Sequence, residues 1–198
     1  MSVAPGRKWA GTADGDLLAS AALGDSTAFA ELATRYYAPA YRLAWRLCGN
    51  QTDAEDVAQE VFVKLWKDPA QVRQAAALKG WIMRAASNGA IDRLRRRKTA
   101  SLDEAIEVSD AQPGAVTVLE GNAASARVVS AMAALPERQR QALALVYYEN
   151  FGNAEAAAIM ETTVEAIESL LTRARKSLRD SLSGEWRDLL DGVTALGK

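Results

Sequence analysis

Three carboxylates, Asp53, Asp56 and Glu60, recur at spacings of three and four residues and would share one face of a helix. Carboxylates arranged this way can hold a hard cation or trade protons with a substrate. A hard cation, though, needs oxygen ligands converging from several elements, and no second acidic helix is placed to supply them. The chain of 198 residues has no histidine, which removes the usual general base and the commonest zinc ligand. Its one cysteine, Cys48, cannot form an internal disulfide, fits a reducing cytoplasm and reads as a small core residue. The residues therefore assign no catalytic group, no metal site and no cofactor, and an enzyme is not expected. The acids read instead as a solvated or partner-facing surface with no internal basic partner at helical spacing.

The cations are as clustered as the acids. A net charge of −1 conceals a segment, 79–98, in which Lys79, Arg84, Arg93, Arg95, Arg96, Arg97 and Lys98 oppose only Asp92. Positive charge suits a helix C-terminus, but that explains one or two cations and not a nearly unbroken run. Upstream stand Trp81 and Asn88, whose amide can pair with a base edge. Charge for the backbone beside flat and amide groups for bases is what single-stranded nucleic acid requires. For Trp81, packing into the core is the commoner use.

A second basic cluster, Arg173, Arg175, Lys176 and Arg179, lies in a segment laid out as a short helix, a tight turn and a longer helix, Asn153 to Arg179. Ile167, Leu171, Ala174 and Leu178 mark the buried face, with Glu168, Thr172, Arg175 and Arg179 beside it. Such a helix can enter the major groove, where residues near its N-terminus read bases and the cations hold phosphates. Taken alone, the segment fits an ordinary helical hairpin with a solvated basic face equally well.

The elements that must position these groups are all helical. Alanine and leucine dominate, β-branched runs are absent and no hairpin signal appears. Helices are predicted over Asp16–Leu23, from a Ser26 cap to about Cys48 with a bend or break at Pro39, and from a Thr52–Glu55 capping box to Trp66. After Pro69 a loop reaches Ala77, and a fourth helix runs from Leu78 into the arginines. Residues 99–122, with Pro113-Gly114 and Asp103, Glu104, Glu107 and Asp110, read as an acidic flexible linker. Further helices are expected over Ala123–Ala134, from Pro136 to near Tyr148, from an Asn153 cap to Met160, and from Thr162 or Thr163 to about Ser183. Residues 184–198 form a tail with a short amphipathic helix through Trp186, Leu189, Leu190 and Val193. No apolar run reaches the roughly 20 residues that span a bilayer, and the segment from Met1 to Trp9 is no signal peptide, so membrane insertion is not expected.

Three motifs carry a family resemblance. Asp53-Ala-Glu-Asp-Val-Ala-Gln-Glu-Val-Phe-Val-Lys-Leu-Trp66 resembles the second conserved region of extracytoplasmic-function sigma factors, group IV of the sigma-70 family. The segment Leu78 to Lys98 resembles the next stretch of the same domain in that family. Leu135-Pro-Glu-Arg-Gln-Arg140 and Ser169-Leu-Leu-Thr-Arg-Ala-Arg175 resemble its C-terminal promoter-binding region. The resemblance spans about Asp16 to Leu182 in order and spacing, and three motifs together are specific. It implies two small helical domains on a flexible linker, a region 2 domain over 14–98 and a region 4 helix-turn-helix over 123–183.

The same resemblance implies roles. Asp56, Gln59 and Glu60 would contact the β′ clamp of core RNA polymerase, and the C-terminal domain its β flap. Arg84, Asn88, Arg93, Arg95, Arg96, Arg97 and Lys98, with the loop 67–77, would hold the opened −10 strand. Glu168, Ser169, Thr172, Arg173, Arg175 and Lys176 would read the −35 element. An anti-sigma factor would restrain the free protein by covering apolar positions such as Val57, Val61, Leu170 and Trp186. Glu161 stands where the turn of the helix-turn-helix often has glycine, and Glu168 and Leu170 where many members carry basic residues. Glutamate can accept from a cytosine amino group and leucine can touch a thymine methyl. The sequence leaves two rivals: a helix-turn-helix regulator that is not a polymerase subunit, and a hydrolase built on the N-terminal carboxylates.

Overall fold

In the computed structural model, which describes residues 9–72, 74–103 and 130–195, every regular element is helical. Contacts divide the chain into two units, Met1–Ser109 and Asp110–Lys198. The first holds α1 (Asp14–Ala22), α2 (Ser26–Cys48), α3 (Gln51–Lys67) and α4 (Leu78–Asp103). Two short 3₁₀ turns, Pro69–Gln71 and Ala75–Ala77, fill the loop between α3 and α4.

The helix starts at α2 and α3 have identifiable caps, though not the predicted ones. Asp25, not Ser26, opens α2 by accepting from the Thr27 and Ala28 amides at 2.9 and 3.1 Å. Asn50 opens α3 by accepting from the Asp53 amide at 2.9 Å. The capping box predicted at Thr52–Glu55 does not form, because both residues lie inside the helix and Glu55 accepts from the Gln51 side chain. Nor does Pro39 divide α2, which runs unbroken to Gly49, a residue with φ +67° that ends it in a left-handed turn. Proline removes one helical hydrogen bond. Leu32 before it and Ala40, Leu43, Ala44 and Leu47 after it are buried in one core, which holds the helix together.

That core explains the packing of the first unit. α2 touches α1, α3 and α4, and Leu17, Leu32, Leu43, Leu47, Val57, Leu65, Leu78, Ile82 and Met83 are buried among them. Each such side chain stabilises the unit by roughly 1.5–3 kcal/mol before chain entropy is counted. A polar cluster ties the segment before α1 to α2. Arg35 pairs with Asp14 at 2.8 Å and Glu31 at 3.0 Å and donates to the Thr12 carbonyl, while Tyr36 donates to Asp14. Burial, reinforced by Asp14, pushes the Tyr36 hydroxyl up to about 12. At the far end of α2, Cys48 is buried, its thiol donates to the Asn50 carbonyl at 3.5 Å, and burial pushes its pKa up.

The second unit contains α5 (residues 130–134), α6 (Glu137–Leu143), α7 (Asn153–Ile159) and α8 (Val164–Ala195). Pro136 is the N-cap of α6, which widens after Leu143 into a π-helical turn over Ala144–Tyr148. Gly152 rather than Asn153 caps α7, its amide donating to the Glu155 carboxylate at 2.8 Å. Thr163 caps α8, accepting from the Ala166 amide at 3.2 Å. α8 packs on α6 and α7 through Ile167, Leu171 and Ala174, all buried as predicted, with Leu178 half-buried at the edge.

Two boundaries shift. α4 continues through residues 99–103, into the segment expected to be linker, and α8 passes Gly184 to reach Ala195 with no second helix beginning at Glu185. One glycine costs a helix about 1 kcal/mol, too little to end it by itself. The rest of the expected linker, the start of the helix expected over Ala123–Ala134, and the side chains of Lys98, Trp186, Leu189, Leu190 and Val193 lie outside the described residues.

Candidate nucleic-acid interface

α3 and α4 approach closely because Gly89 has no side chain. A Cβ there would stand 3.2 Å from Val57 Cγ1, tighter than ordinary van der Waals contact. Arg93 and Arg97, one and two turns beyond Gly89, meet Asp53, Asp56 and Glu60 of α3. Arg93 forks onto Glu60, with Nη2 at 2.8 Å and Nη1 at 3.3 Å, and lies 3.6 Å from Asp56 and 3.9 Å from Asp53. The fork holds Glu60 below the usual carboxylate range and raises Arg93. Arg97 Nε sits 3.0 Å from Asp53 Oδ2, an ion pair without a directed hydrogen bond, since that buried oxygen accepts none.

The acidic face, for which no basic partner is expected at helical spacing, has basic partners in Arg93 and Arg97. They come from a neighbouring helix, out of reach of spacing rules within one helix. Asp56, Gln59 and Glu60 nevertheless remain exposed on α3.

The predicted strand-holding set splits between two faces of α4. At about 100° per residue, Arg84, Asn88 and Arg95 fall within about 40° of one line, while Arg93 and Arg97 fall about 140° and 180° from Asn88. Asn88, Arg95 and Arg96 are exposed, and Arg84 and Trp81 are half-buried. A strand lying along α4 meets the first group directly. Arg93 and Arg97 face α3.

In the second unit, α7, a turn and α8 form the predicted helix-turn-helix. The turn passes through Glu161 at φ +50°, a left-handed conformation that glycine adopts with less strain. Glu168, Thr172, Arg173, Arg175, Lys176 and Arg179 are exposed on α8, and Ser169 is half-buried. Thr172 donates back to the Glu168 carbonyl at 2.8 Å, and Arg173 donates to the Ser169 hydroxyl at 2.8 Å, so the contacts are local to one helix. Sequence reasoning passed over Glu165, in the first turn of α8. Its own backbone amide and then Thr163 hold its carboxyl below the usual range.

The expected apolar contact positions need correction. Val57 and Val61 are buried, because Val57, Ala58, Val61, Phe62 and Leu65 form the inward face of α3. Leu170 is half-exposed. Exposed apolar surface lies instead at Val63 and Trp66, on the last turns of α3, where Trp66 packs against Phe29 with ring centres 4.9 Å apart. Tyr147 and Tyr148, after α6, are exposed as well. Among the described residues, no group of three or more potential ligands could hold a metal ion, and no helix is long and apolar enough to cross a membrane.

Among the described residues each of the two helical units carries a basic helix, an arrangement that suits nucleic acid without requiring it. Comparison with known proteins specifies the family. The family model for sigma-70 region 2 matches residues 32–100, and that for sigma-70 region 4 matches residues 125–178. SigM of Mycobacterium tuberculosis is 30% identical over 168 residues, covering 83% of this chain and 82% of that one. SigE of Mycolicibacterium smegmatis is 31% identical over 157 residues, covering 77% of this chain but only 61% of that longer relative. Among solved structures, CnrH in complex with the cytosolic domain of CnrY superposes with a TM-score of 0.67 at 27% identity, covering 87% of this chain and 99% of that one. The fold is also that of the sigma factor RpoE in complex with the anti-sigma factor NepR from Bartonella quintana, with a TM-score of 0.65 at 24% identity, covering 78% and 96%. The chain belongs to the sigma-70 family, among its extracytoplasmic-function members, and is a transcription initiation factor without enzymatic activity. The match over residues 32–100 removes both rivals, since neither a simple helix-turn-helix regulator nor a hydrolase accounts for region 2.

Proposed function

We propose that the chain directs core RNA polymerase to its promoters by three surfaces on two units. Asp56, Gln59 and Glu60 meet the β′ clamp. Arg84, Asn88, Arg95 and Arg96 hold the opened −10 strand, with Lys98 at the end of the same run. α8 reads the −35 duplex through Glu168, Ser169, Thr172, Arg173, Arg175 and Lys176, while its unit rests on the β flap. The functional segments are 14–98, 99–122, 123–183 and 184–198, with α4 and α8 crossing two of their boundaries. Strand opening follows from binding energy: a surface that holds unpaired bases favours the melted state over duplex.

One observation carries this reading. The exposed acids of α3 and the Arg84–Asn88–Arg95 line of α4 sit on adjacent helices of a single core. A protein partner and a nucleic-acid strand can therefore be gripped together. Such a protein works in the cytoplasm, where polymerase and promoter are. A protein antagonist is the expected restraint, as CnrH has been solved with the cytosolic domain of CnrY, and the exposed Val63–Trp66 surface offers it an apolar foothold. Charge reversal of the acids, Asp56→Lys with Glu60→Lys, tests the central assignment. Co-purification with core polymerase should be lost while helical content is retained. Recovery at the wild-type yield would refute it.

A further inference from the structure

Arg93 stands in an unusual position between the two proposed grips. Its guanidinium is held by Glu60, and more loosely by Asp56 and Asp53, and only 20% of its side chain is exposed. Two of those three acids, Asp56 and Glu60, are more than half exposed, at 52% and 55%. They are also acids assigned above to the β′ clamp, and an exposed acidic face is complementary to basic groups on whatever partner covers it. The fork from Arg93 engages both oxygens of Glu60, so a second cation that approaches this carboxylate competes with Arg93 for the same lone pairs. Ion pairs this wet cost little to rearrange. Arg97 differs, because its partner Asp53 is mostly buried and is not part of the outward face.

We propose that Arg93 is an exchange residue: paired with Asp56 and Glu60 in the free protein, and released to a nucleic-acid phosphate when a basic partner surface takes those acids. Arg93 lies one turn from Arg96 on α4, so a released side chain extends the exposed cationic surface by one group. Arg97 stays on Asp53 and keeps α4 docked on α3. Protein binding at α3 thereby strengthens strand binding at α4. By linkage, a bound strand strengthens the protein contact equally. This inference rests on the assignment of Asp56 and Glu60 to polymerase, and it adds the route by which that contact reaches the DNA grip.

The test uses the full chain without polymerase and a fluorescent single-stranded oligonucleotide. Neutralising the acids, Asp56→Asn with Glu60→Gln, should mimic their capture. Affinity should rise about three- to tenfold, and the log–log salt slope should steepen by about 0.7, the value for one further phosphate contact on a single strand. Adding Arg93→Gln should cancel the gain. A gain that survives Arg93→Gln would mean simple loss of repulsion and overturn the proposal, as would no gain at all. Thermal unfolding is followed in parallel. If the double variant is unstable, Glu60→Gln alone, which leaves Arg93 near Asp56 and Asp53, should show the same cancellation at smaller amplitude. Polymerase co-purification of the neutralised variant separates the two levels. Undiminished capture refutes the assignment of the acids, whereas lost capture without the Arg93-dependent gain refutes the exchange.

Discussion

Arg93 and Arg97 of α4 reach across to a neighbouring helix, whereas Arg173, Arg175 and Lys176 of α8 are exposed, and Arg173 donates within its own helix. Both helices are strongly basic, yet their cations serve different ends. On α8 the cations are exposed around a buried stripe of Ile167, Leu171 and Ala174, which is what the proposed −35 contact requires. On α4 the cations encircle the helix, and those facing α3 are held in ion pairs with its acids. Counting arginines would therefore overstate the proposed strand grip of α4 more than the proposed duplex grip of α8.

Four measurements would break or sharpen the contrast. The largest effect is expected from Ile167→Ala, which empties a fully buried site beneath the exposed face of α8. It should destabilise the second unit by about 2–5 kcal/mol. Binding to −35 duplex should fall sharply, and binding of a −10 single strand should survive, as read by calorimetry and two separate binding assays. Next, Arg95→Ala with Arg96→Ala should weaken strand binding on all sequences and reduce the salt slope by about 0.7 per lost contact. Arg97→Ala should leave that slope unchanged and instead lower stability by up to about 1 kcal/mol, because its pair with Asp53 is internal. A reduced slope for Arg97→Ala would erase the two-faced description of α4. Smaller still, Glu161→Gly should raise the melting temperature of the second unit by relieving the φ +50° strain, worth up to about 1 kcal/mol, without changing −35 preference. Destabilisation would show that the glutamate side chain contributes more than its backbone costs.

The parts of this structure that follow from periodicity are legible in the sequence. Ile167, Leu171 and Ala174 are expected on one buried face and lie there. Helix starts are legible to within a residue or two. Ser26 beside Asp25, Thr52 beside Asn50, and Asn153 beside Gly152 are all competent caps, and the path of the preceding chain selects among them. The ion pairs between α3 and α4 are not legible. They depend on the separation of two helices, which depends in turn on a missing Cβ at Gly89 against Val57. Likewise Val57 and Val61 fall on the inward face because α3 packs on both α2 and α4, and a single-helix pattern does not say how many neighbours a helix has.

Cys48 offers a last consequence. The chain has one thiol, and it is buried at the end of α2 with its pKa raised, so the reactive thiolate is scarce and shielded in the native state. Alkylation must then wait for the surrounding core to open. The modification rate becomes a clock for fluctuations of the core around Cys48. Run with and without a bound strand or partner protein, that clock would record how far each ligand slows the opening, with no label added and no residue changed.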